Sequence, residues 1–159
     1  MRRAAVLVGL LVVLVGVLAV LAWRAQPRGT PYEQITGQIL LAKSAVERRD
    51  ASTALHVLSG DYKDDNGFTT PAIAQLVRSW LRDHKNVEVI INSVSPREIP
   101  ADAKSATLTT NVTVRYDGGQ WSGTITTEWQ KEPVRRYLFF PGEEWRVRRA
   151  SGYAGLGTD

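Results

Sequence analysis

Cysteine is absent from the 159 residues of the chain. Its absence excludes disulfides, thiolate nucleophiles, zinc sites built from cysteine and lipid attachment through a cysteine side chain. Internal repeats are also absent, and proline and glycine do not dominate the composition. With 43% hydrophobic residues, the composition is that of an ordinary folded protein, and the length leaves room for one domain behind a targeting segment.

Acidic residues are missing from the first 32 positions. Four arginines lie there, and they account for the whole excess of 20 basic over 16 acidic residues: Arg2, Arg3, Arg24 and Arg28. The remainder of the chain is therefore formally neutral. Because a nucleic-acid-binding domain normally carries its basic excess on the domain itself, we expect no nucleic-acid partner.

Charge and proline are absent from residues 4–23 as well, a run of 20 residues that is rich in valine and leucine. As a helix this run is about 30 Å long, which matches the hydrocarbon core of a bilayer. We predict one uncleaved transmembrane helix that contacts lipid through apolar side chains along its length: Ala4, Leu10, Leu14, Leu21 and Trp23. A cleaved signal peptide is the alternative, because Val20-Leu21-Ala22 is a usable cleavage site.

The short basic amino terminus favours an orientation in which the N-terminus is cytoplasmic and the rest of the chain is outside. We therefore expect a single-pass protein of the bacterial inner membrane with a periplasmic or otherwise extracytoplasmic C-terminal domain. The predicted organisation is a signal anchor at residues 1–23, a linker at 24–31, a folded domain at 32–152 and a flexible tail at 153–159.

Three segments after the linker show helical periodicity. The first, residues 32–49, places apolar side chains on one stripe: Ile35, Ile39, Ala42 and Val46. Asp50 is a candidate N-cap for a short second helix at residues 51–58. Thr70 is the predicted cap of a third helix, which has Pro71 at its first position.

From residue 87 onward the apolar period changes from 3.6 to 2, which indicates strands. The pattern predicts strands at 87–95, 106–116 and 144–150, and Asp117-Gly118-Gly119 indicates a hairpin turn into a further strand that contains Trp129. Helices followed by an antiparallel meander predict an α+β fold, with three N-terminal helices packed on one face of a curved antiparallel sheet.

Several short stretches occur in the order typical of a known superfamily. They are Ala45-Val46-Glu47-Arg48-Arg49-Asp50, Leu55-His56-Val57-Leu58-Ser59, Asp61-Tyr62-Lys63-Asp64-Asp65-Asn66-Gly67-Phe68, Glu128-Trp129 and Glu144-Trp145-Arg146-Val147. Across residues 32–152 the chain resembles the NTF2-like (SnoaL-like) superfamily, and in particular bacterial membrane-anchored nuclear transport factor 2 family proteins. Residues 131–142 depart from the short turn usual there, so they are expected to form an extra strand or a flap.

The resemblance implies a cone-shaped α+β fold with a pocket between the helices and the sheet. It implies no single activity, because the superfamily includes isomerases, dehydratases, cyclases, carrier-binding domains and inert scaffolds. Within such a pocket His56 is the candidate acid or base, with an aspartate as its partner. The alternative for His56 is a surface or capping histidine.

Tyr62, Trp80 and Trp129 are the candidate pocket-wall residues, and core packing is the alternative for each of them. The aspartates of residues 61–68 do not fit a calcium loop, because an EF-hand register aligned on Gly67 puts Tyr62 and Ile73 at ligand positions. A solvated turn with local side-chain bonds is the interpretation for that loop. We expect no metal and no cofactor.

One basic cluster stands out in the sequence, and its members are Arg135, Arg136, Arg146, Arg148 and Arg149. It is either an ordinary solvated face or a contact for lipid headgroups or an acidic partner. The leading hypothesis is a membrane-tethered, extracytoplasmic NTF2-like binding or scaffold module without evident catalysis. Its expected partners are the lipid bilayer and either a second copy or an envelope protein. The alternatives are a SnoaL-like isomerase or hydrolase that uses His56, and a small-molecule sensor domain.

Overall fold

The computed structural model describes residues 15–17, 20, 29–136 and 140–153. Within these residues, no helix combines the length and the apolar character that crossing a membrane requires. The predicted anchor at residues 1–23 and the linker at 24–31 lie mostly outside the described residues, although residues 15–17 and 20 are helical. Of the predicted tail at 153–159, only Tyr153 is described.

The chain divides into two compact units. The larger one consists of Gly29–Glu132 and Trp145–Asp159, and it contains the three helices and the candidate site described below. The smaller one consists of Met1–Arg28 and Pro133–Glu144. In the smaller unit, the described part of Pro133–Glu144 is extended strand.

Helix α1, Pro31–Glu47, begins where the sequence supplies a complete capping box. The hydroxyl of Thr30 accepts from the Glu33 N–H at 3.2 Å, and the Glu33 carboxylate accepts from the Thr30 N–H at 2.7 Å. Two of the N–H groups that a helix start leaves unpaired are thereby satisfied. At the other end, Glu47 accepts from Lys43 Nζ at 2.7 Å and from the Val89 N–H at 2.9 Å.

Glu47 is held ionised by these contacts. Partial burial acts to raise the pKa of this carboxyl, but the bonds from Lys43 and Val89 and the charge of Lys43 outweigh it and lower the pKa below its usual value. The bond to Val89 ties the end of α1 to the first strand of the sheet.

Helix α2, Ala51–Leu55, is shorter than the predicted 51–58. Asp50 caps it as expected, because its carboxylate accepts from the Thr53 N–H at 3.1 Å. The prediction of the helix end was wrong because the next residues pair with the sheet. Val147 N–H donates to Val57 C=O at 2.9 Å, and Ser59 N–H donates to Val147 C=O at 2.9 Å.

Helix α3, Thr70–Asp83, starts one residue earlier than predicted. Its N-cap is Thr69, which makes no side-chain capping bond, and the hydroxyl of Thr70 donates instead to the Ser59 C=O at 2.7 Å. At the far end, Arg49 Nε donates to the Leu81 C=O at 2.9 Å, so this side chain satisfies a carbonyl that the helix leaves unpaired. Arg49 itself has a positive φ of 60°, a conformation that is unusual for a residue with a β-carbon.

The sheet has four strands in the order β1-β2-β3-β4. They are β1 at Glu88–Ser95, β2 at Ser105–Tyr116, β3 at Gly119–Arg136 and β4 at Phe140–Ser151. The hairpin predicted at Asp117-Gly118 is confirmed, because Tyr116 pairs with Gly119 across it. The extra strand expected at residues 131–142 is absent from the described residues, where 131–136 and 140–142 lengthen β3 and β4, and the alternative of a flap stays a prediction.

Alternation along the strands separates a buried face from an exposed one, as in any half-covered antiparallel sheet. One buried cluster contains Ile35, Tyr62, Leu108, Trp129, Trp145 and Val147. The other contains Leu81, Val87, Val112 and Val114, with Trp80 and Trp121 packed against it. Helices on one face of an antiparallel sheet confirm the predicted α+β class.

Candidate functional site

Large side chains fill the interior between α1 and the sheet. Ile35 and Leu108 are fully buried, and Trp145 and Trp129 are 1% and 2% exposed. Trp129 Nε1 donates to the Thr127 hydroxyl at 2.7 Å, so its ring is fixed by a hydrogen bond as well as by packing. Among the described residues, the buried indole nitrogen of Trp145 has no hydrogen-bond partner, and Lys131 Nζ lies 5.3 Å from the centroid of its ring.

The predicted pocket-wall residues do not all lie together. Tyr62 and Trp129 belong to the same buried cluster. Trp80 lies in the other cluster, where it stacks on His84 with ring centroids 4.5 Å apart and meets the edge of Tyr116. Their role as ligand-binding residues stays a prediction.

Burial of Tyr62 has an electrostatic consequence. The ring is 4% exposed. Removal from water, with smaller contributions from the charges of Asp64 and Asp65, raises the pKa of its phenol to about 12. The phenol is therefore neutral at any physiological pH and cannot serve as a base there.

His56 lies at the surface, at the C-terminal end of α2. Its Nε2 is 3.1 Å from a guanidinium nitrogen of Arg146, so a cation is its neighbour on that side. This arrangement corresponds to the alternative of a surface or capping histidine. Its role as an acid or base stays a prediction.

The loop at residues 61–68 is built around a buried carboxylate. Asp64 Oδ1 accepts from the Phe68 N–H at 2.7 Å, which is the expected local side-chain bond. The expectation that the whole turn is solvated was wrong, because Asp64 is only 4% exposed and the hydroxyl of Tyr153 donates to its Oδ2. Among the described residues, no group of three or more potential ligands is arranged to hold a metal ion.

Ser59 fixes the start of that loop. It is 1% exposed, and its hydroxyl donates to Glu132 Oε1 at 2.5 Å while accepting from the Asp61 N–H at 3.1 Å. Two residues later, the Lys63 N–H donates to the Arg148 C=O at 3.0 Å. The backbone from Ser59 to Lys63 is therefore held against β4.

A groove of about 820 Å³ opens beside this contact, where the loop, β2, β3 and β4 meet. Its charged lining residues are Asp61, Lys63, Lys104, Glu128, Arg148 and Arg149. We call it the basic groove, because four of the six are cations. Each of these six side chains is exposed, whereas Trp129, next to Glu128, is buried. Trp129, a predicted pocket-wall residue, also lines the groove, so the groove borders the buried aromatic cluster.

The sequence predicted only some of the cations that line the basic groove. Arg148 and Arg149 were in the predicted basic cluster, but Lys63 and Lys104 were not. The feature of the sequence that indicated a basic surface was the pair of adjacent arginines, Arg148 and Arg149, near the end of the last strand. Nothing in the spacing of the sequence indicates that residues 63, 104 and 148 share one surface.

No family model and no curated protein matches the chain in sequence. Solved structures do match it in fold. Bd1075 from Bdellovibrio bacteriovorus superposes with a TM-score of 0.61 at 12% identity, over 76% of this chain and 39% of that one. The chain thus spans about two fifths of the length of Bd1075.

Two proteins from Novosphingobium aromaticivorans match over most of their own length. A candidate aromatic ring hydroxylase has a TM-score of 0.57 at 14% identity and covers 76% of this chain and 86% of that one. A candidate scytalone dehydratase has a TM-score of 0.51 at 10% identity and covers 76% and 80%. Sequence identities this low show that the fold is shared, but they do not show that an activity is shared. The chain shares the α+β fold of these solved structures.

Proposed function

We propose that the chain is a membrane-tethered binding or scaffold module whose NTF2-like domain lies outside the bacterial cytoplasm and carries out no catalysis. The observation that carries this proposal is the filled interior. In a fold that uses the space between helices and sheet as a reaction or ligand chamber, that space must be open. Here Trp145, Trp129 and Leu108 occupy it.

The position of His56 also argues against the enzymatic alternative. An isomerase or hydrolase needs its acid or base within hydrogen-bond reach of a substrate held in a cavity. His56 is exposed and has an arginine guanidinium beside Nε2, outside the buried aromatic cluster. The sensor alternative requires the same open chamber and loses support for the same reason.

Two features of the sequence support the proposed membrane tether: the apolar run at residues 4–23 and the arginines that flank it. Residues 15–17 and 20 are helical, and Val15, Val17 and Val20 expose 58%, 50% and 52% of their surface, which suits a helix that contacts lipid. A single-pass helix in the inner membrane brings the domain close to the bilayer. Its partner is then an envelope protein or a second copy of the chain.

Protection of the indole N–H groups tests whether the interior is filled. We expect the N–H groups of Trp129 and Trp145 to exchange with deuterium at least about a thousandfold more slowly than a free indole, since exchange from a packed core requires opening of the fold. The measurement is ¹H–¹⁵N NMR of the full chain in detergent micelles. Exchange near the free rate for Trp145 means that water enters the interior, and it favours the enzyme or sensor.

Fractionation with mass measurement tests the tether. We expect the full chain to stay in the membrane after an alkaline wash, with an intact mass near 17.6 kDa, and its domain to be cut by protease added to spheroplasts. Arg costs about 2.5–3.5 kcal/mol at the centre of a membrane helix, so Leu10→Arg combined with Leu14→Arg releases the protein from the membrane. Leu40→Arg on α1 is the matched control and leaves the protein in the membrane. A mature protein that begins at Trp23 contradicts the anchor.

A further inference from the structure

The basic groove brings together cations from three separate parts of the chain. Lys63 comes from the loop before α3, Lys104 precedes β2, and Arg148 and Arg149 lie on β4. The domain that follows the first arginines has no net charge by composition. Four cations and two carboxylates at one groove therefore make a local excess on a neutral domain, and such an excess attracts anions.

The backbone holds two of these cations next to each other. The Lys63 N–H donates to the Arg148 C=O at 3.0 Å, so the two residues lie on adjoining backbone segments. Like charges on neighbouring segments repel and cost stability. Ser59, which is buried and bonded to Glu132, prevents the loop from moving away to relieve that repulsion.

The charges of Lys63, Arg148 and Arg149 are incompletely neutralised within the described part of the protein. Arg148 Nη1 donates to the neutral amide oxygen of Gln130 at 2.7 Å, which orients the guanidinium without cancelling its charge. Arg149 is paired with Glu128 at 3.7 Å, and both side chains are more than half exposed, so solvent screens this pair. Among the described residues, no carboxylate forms an ion pair with Lys63.

Among the uncharged lining residues, Ser105, Thr107 and Gln130 supply neutral hydrogen-bond donors. Ser105 is paired across the strands with Gln130, and Thr107 with Glu128, and all four residues line the groove. A volume of about 820 Å³ lies within the roughly 300–1,000 Å³ range of sites for small molecules. Guanidinium and ammonium groups bind carboxylate and phosphate oxygens through charge-assisted hydrogen bonds.

We propose that the basic groove is a binding site for a small polyvalent anion, a molecule with two or more carboxylate or phosphate groups. Lys63 and Arg148 bind the anionic groups, Lys104 and Arg149 add attraction at the rim, and the hydroxyls of Ser105 and Thr107 orient the ligand. The proposal names a ligand class for the binding module but does not depend on the tether. All the groove residues lie in the larger unit.

Calorimetric titration of the full chain in neutral detergent micelles at low ionic strength tests the proposal. The probes are pyrophosphate for phosphate groups, citrate for carboxylate groups and glycerophosphoglycerol for a monovalent lipid headgroup. We expect saturable binding of pyrophosphate or citrate, and weakening as salt is added. Which of the two binds more tightly identifies the anionic group.

The variant that tests the two proposed anion-binding residues combines Lys63→Gln with Arg148→Gln. We expect it to weaken binding at least about tenfold, because hydrogen bonds to charged groups are lost. Arg97→Glu, an exposed change outside the groove, is the control and leaves the affinity unchanged. Circular dichroism checks that each variant is folded, and Lys63→Glu alone is the second variant if the double one unfolds.

Three results would overturn the proposal. One is no binding of pyrophosphate or citrate at millimolar concentration. Another is equal affinity in the wild type and the folded groove variants. The third is binding of glycerophosphoglycerol alone, since one charge does not require a groove with several cations. None of these results bears on membrane fractionation, so failure of the groove and failure of the tether are distinguishable.

Discussion

Replacing Trp145 by alanine is expected to lower the free energy of unfolding by about 3–5 kcal/mol, the range found for large aromatic residues in cores. Trp145 is the largest of the fully buried side chains, at 1% exposure, and it packs with Ile35, Leu108 and Val147. Removing it deletes apolar contacts on both the helix side and the sheet side and leaves a cavity. The measurement is urea denaturation of the full chain in micelles, followed by far-ultraviolet circular dichroism.

Two further variants make this result specific to packing. Trp145→Phe is expected to cost clearly less than the alanine change, because phenylalanine keeps an aromatic ring in the core and the Trp145 indole N–H has no hydrogen-bond partner among the described residues. Gln120→Ala on the exposed face of β3 is expected to stay within about 0.5 kcal/mol of the wild type. A cost below about 1 kcal/mol for Trp145→Ala would mean that the interior is not close-packed around this ring.

Alkaline pH is expected to destabilise the protein through Tyr62. The folded pKa of this phenol is about 12, whereas an unfolded tyrosine has a pKa of about 10. Because the folded pKa is the higher of the two, the stabilisation is fully present below pH 10 and is lost as the pH rises toward 12. Two pKa units correspond to at most about 2.7 kcal/mol.

The measurement is the free energy of unfolding at a series of pH values from 8 to 12, with Tyr62→Phe as the test variant. Tyr62→Phe is expected to remove most of the loss above pH 10, and Tyr32→Phe, a half-buried control, is expected to retain it. Absorbance at alkaline pH gives a second readout, in which one of the five tyrosines titrates well above the others. An unchanged stability profile for Tyr62→Phe would contradict the assignment.

The elements of the fold were predictable wherever local chemistry decides them. The capping box of Thr30 and Glu33, the cap at Asp50 and the turn at Asp117-Gly118 each act within a few residues, and each is present in the structure. Alternation along β2 predicted which side chains are buried, because the side-chain period of a strand is two residues.

Errors arose where a distant partner decides the structure. Helix α2 ends early because Val57 and Ser59 bond to Val147, which is about ninety residues away along the chain. Thr70 was predicted to be the N-cap of the third helix, but its hydroxyl donates to the Ser59 C=O. The basic groove was missed for the same reason, since residues far apart in the chain become neighbours there, as Lys63 and Arg148 do through a backbone hydrogen bond.

The edges of the sheet also determine how copies of this domain can meet. The edge of β4 in the larger unit is paired with the backbone of residues 57–63. On the opposite edge, the Val89 N–H is already bonded to Glu47, and the pairing of β1 is irregular between Ile91 and Ser93. Exposed strand edges are where chains add to one another and aggregate, and a blocked donor together with a bulge discourages that pairing. Copies of the domain that do associate are therefore expected to meet through sheet faces or helices, and strand-to-strand polymerisation is disfavoured.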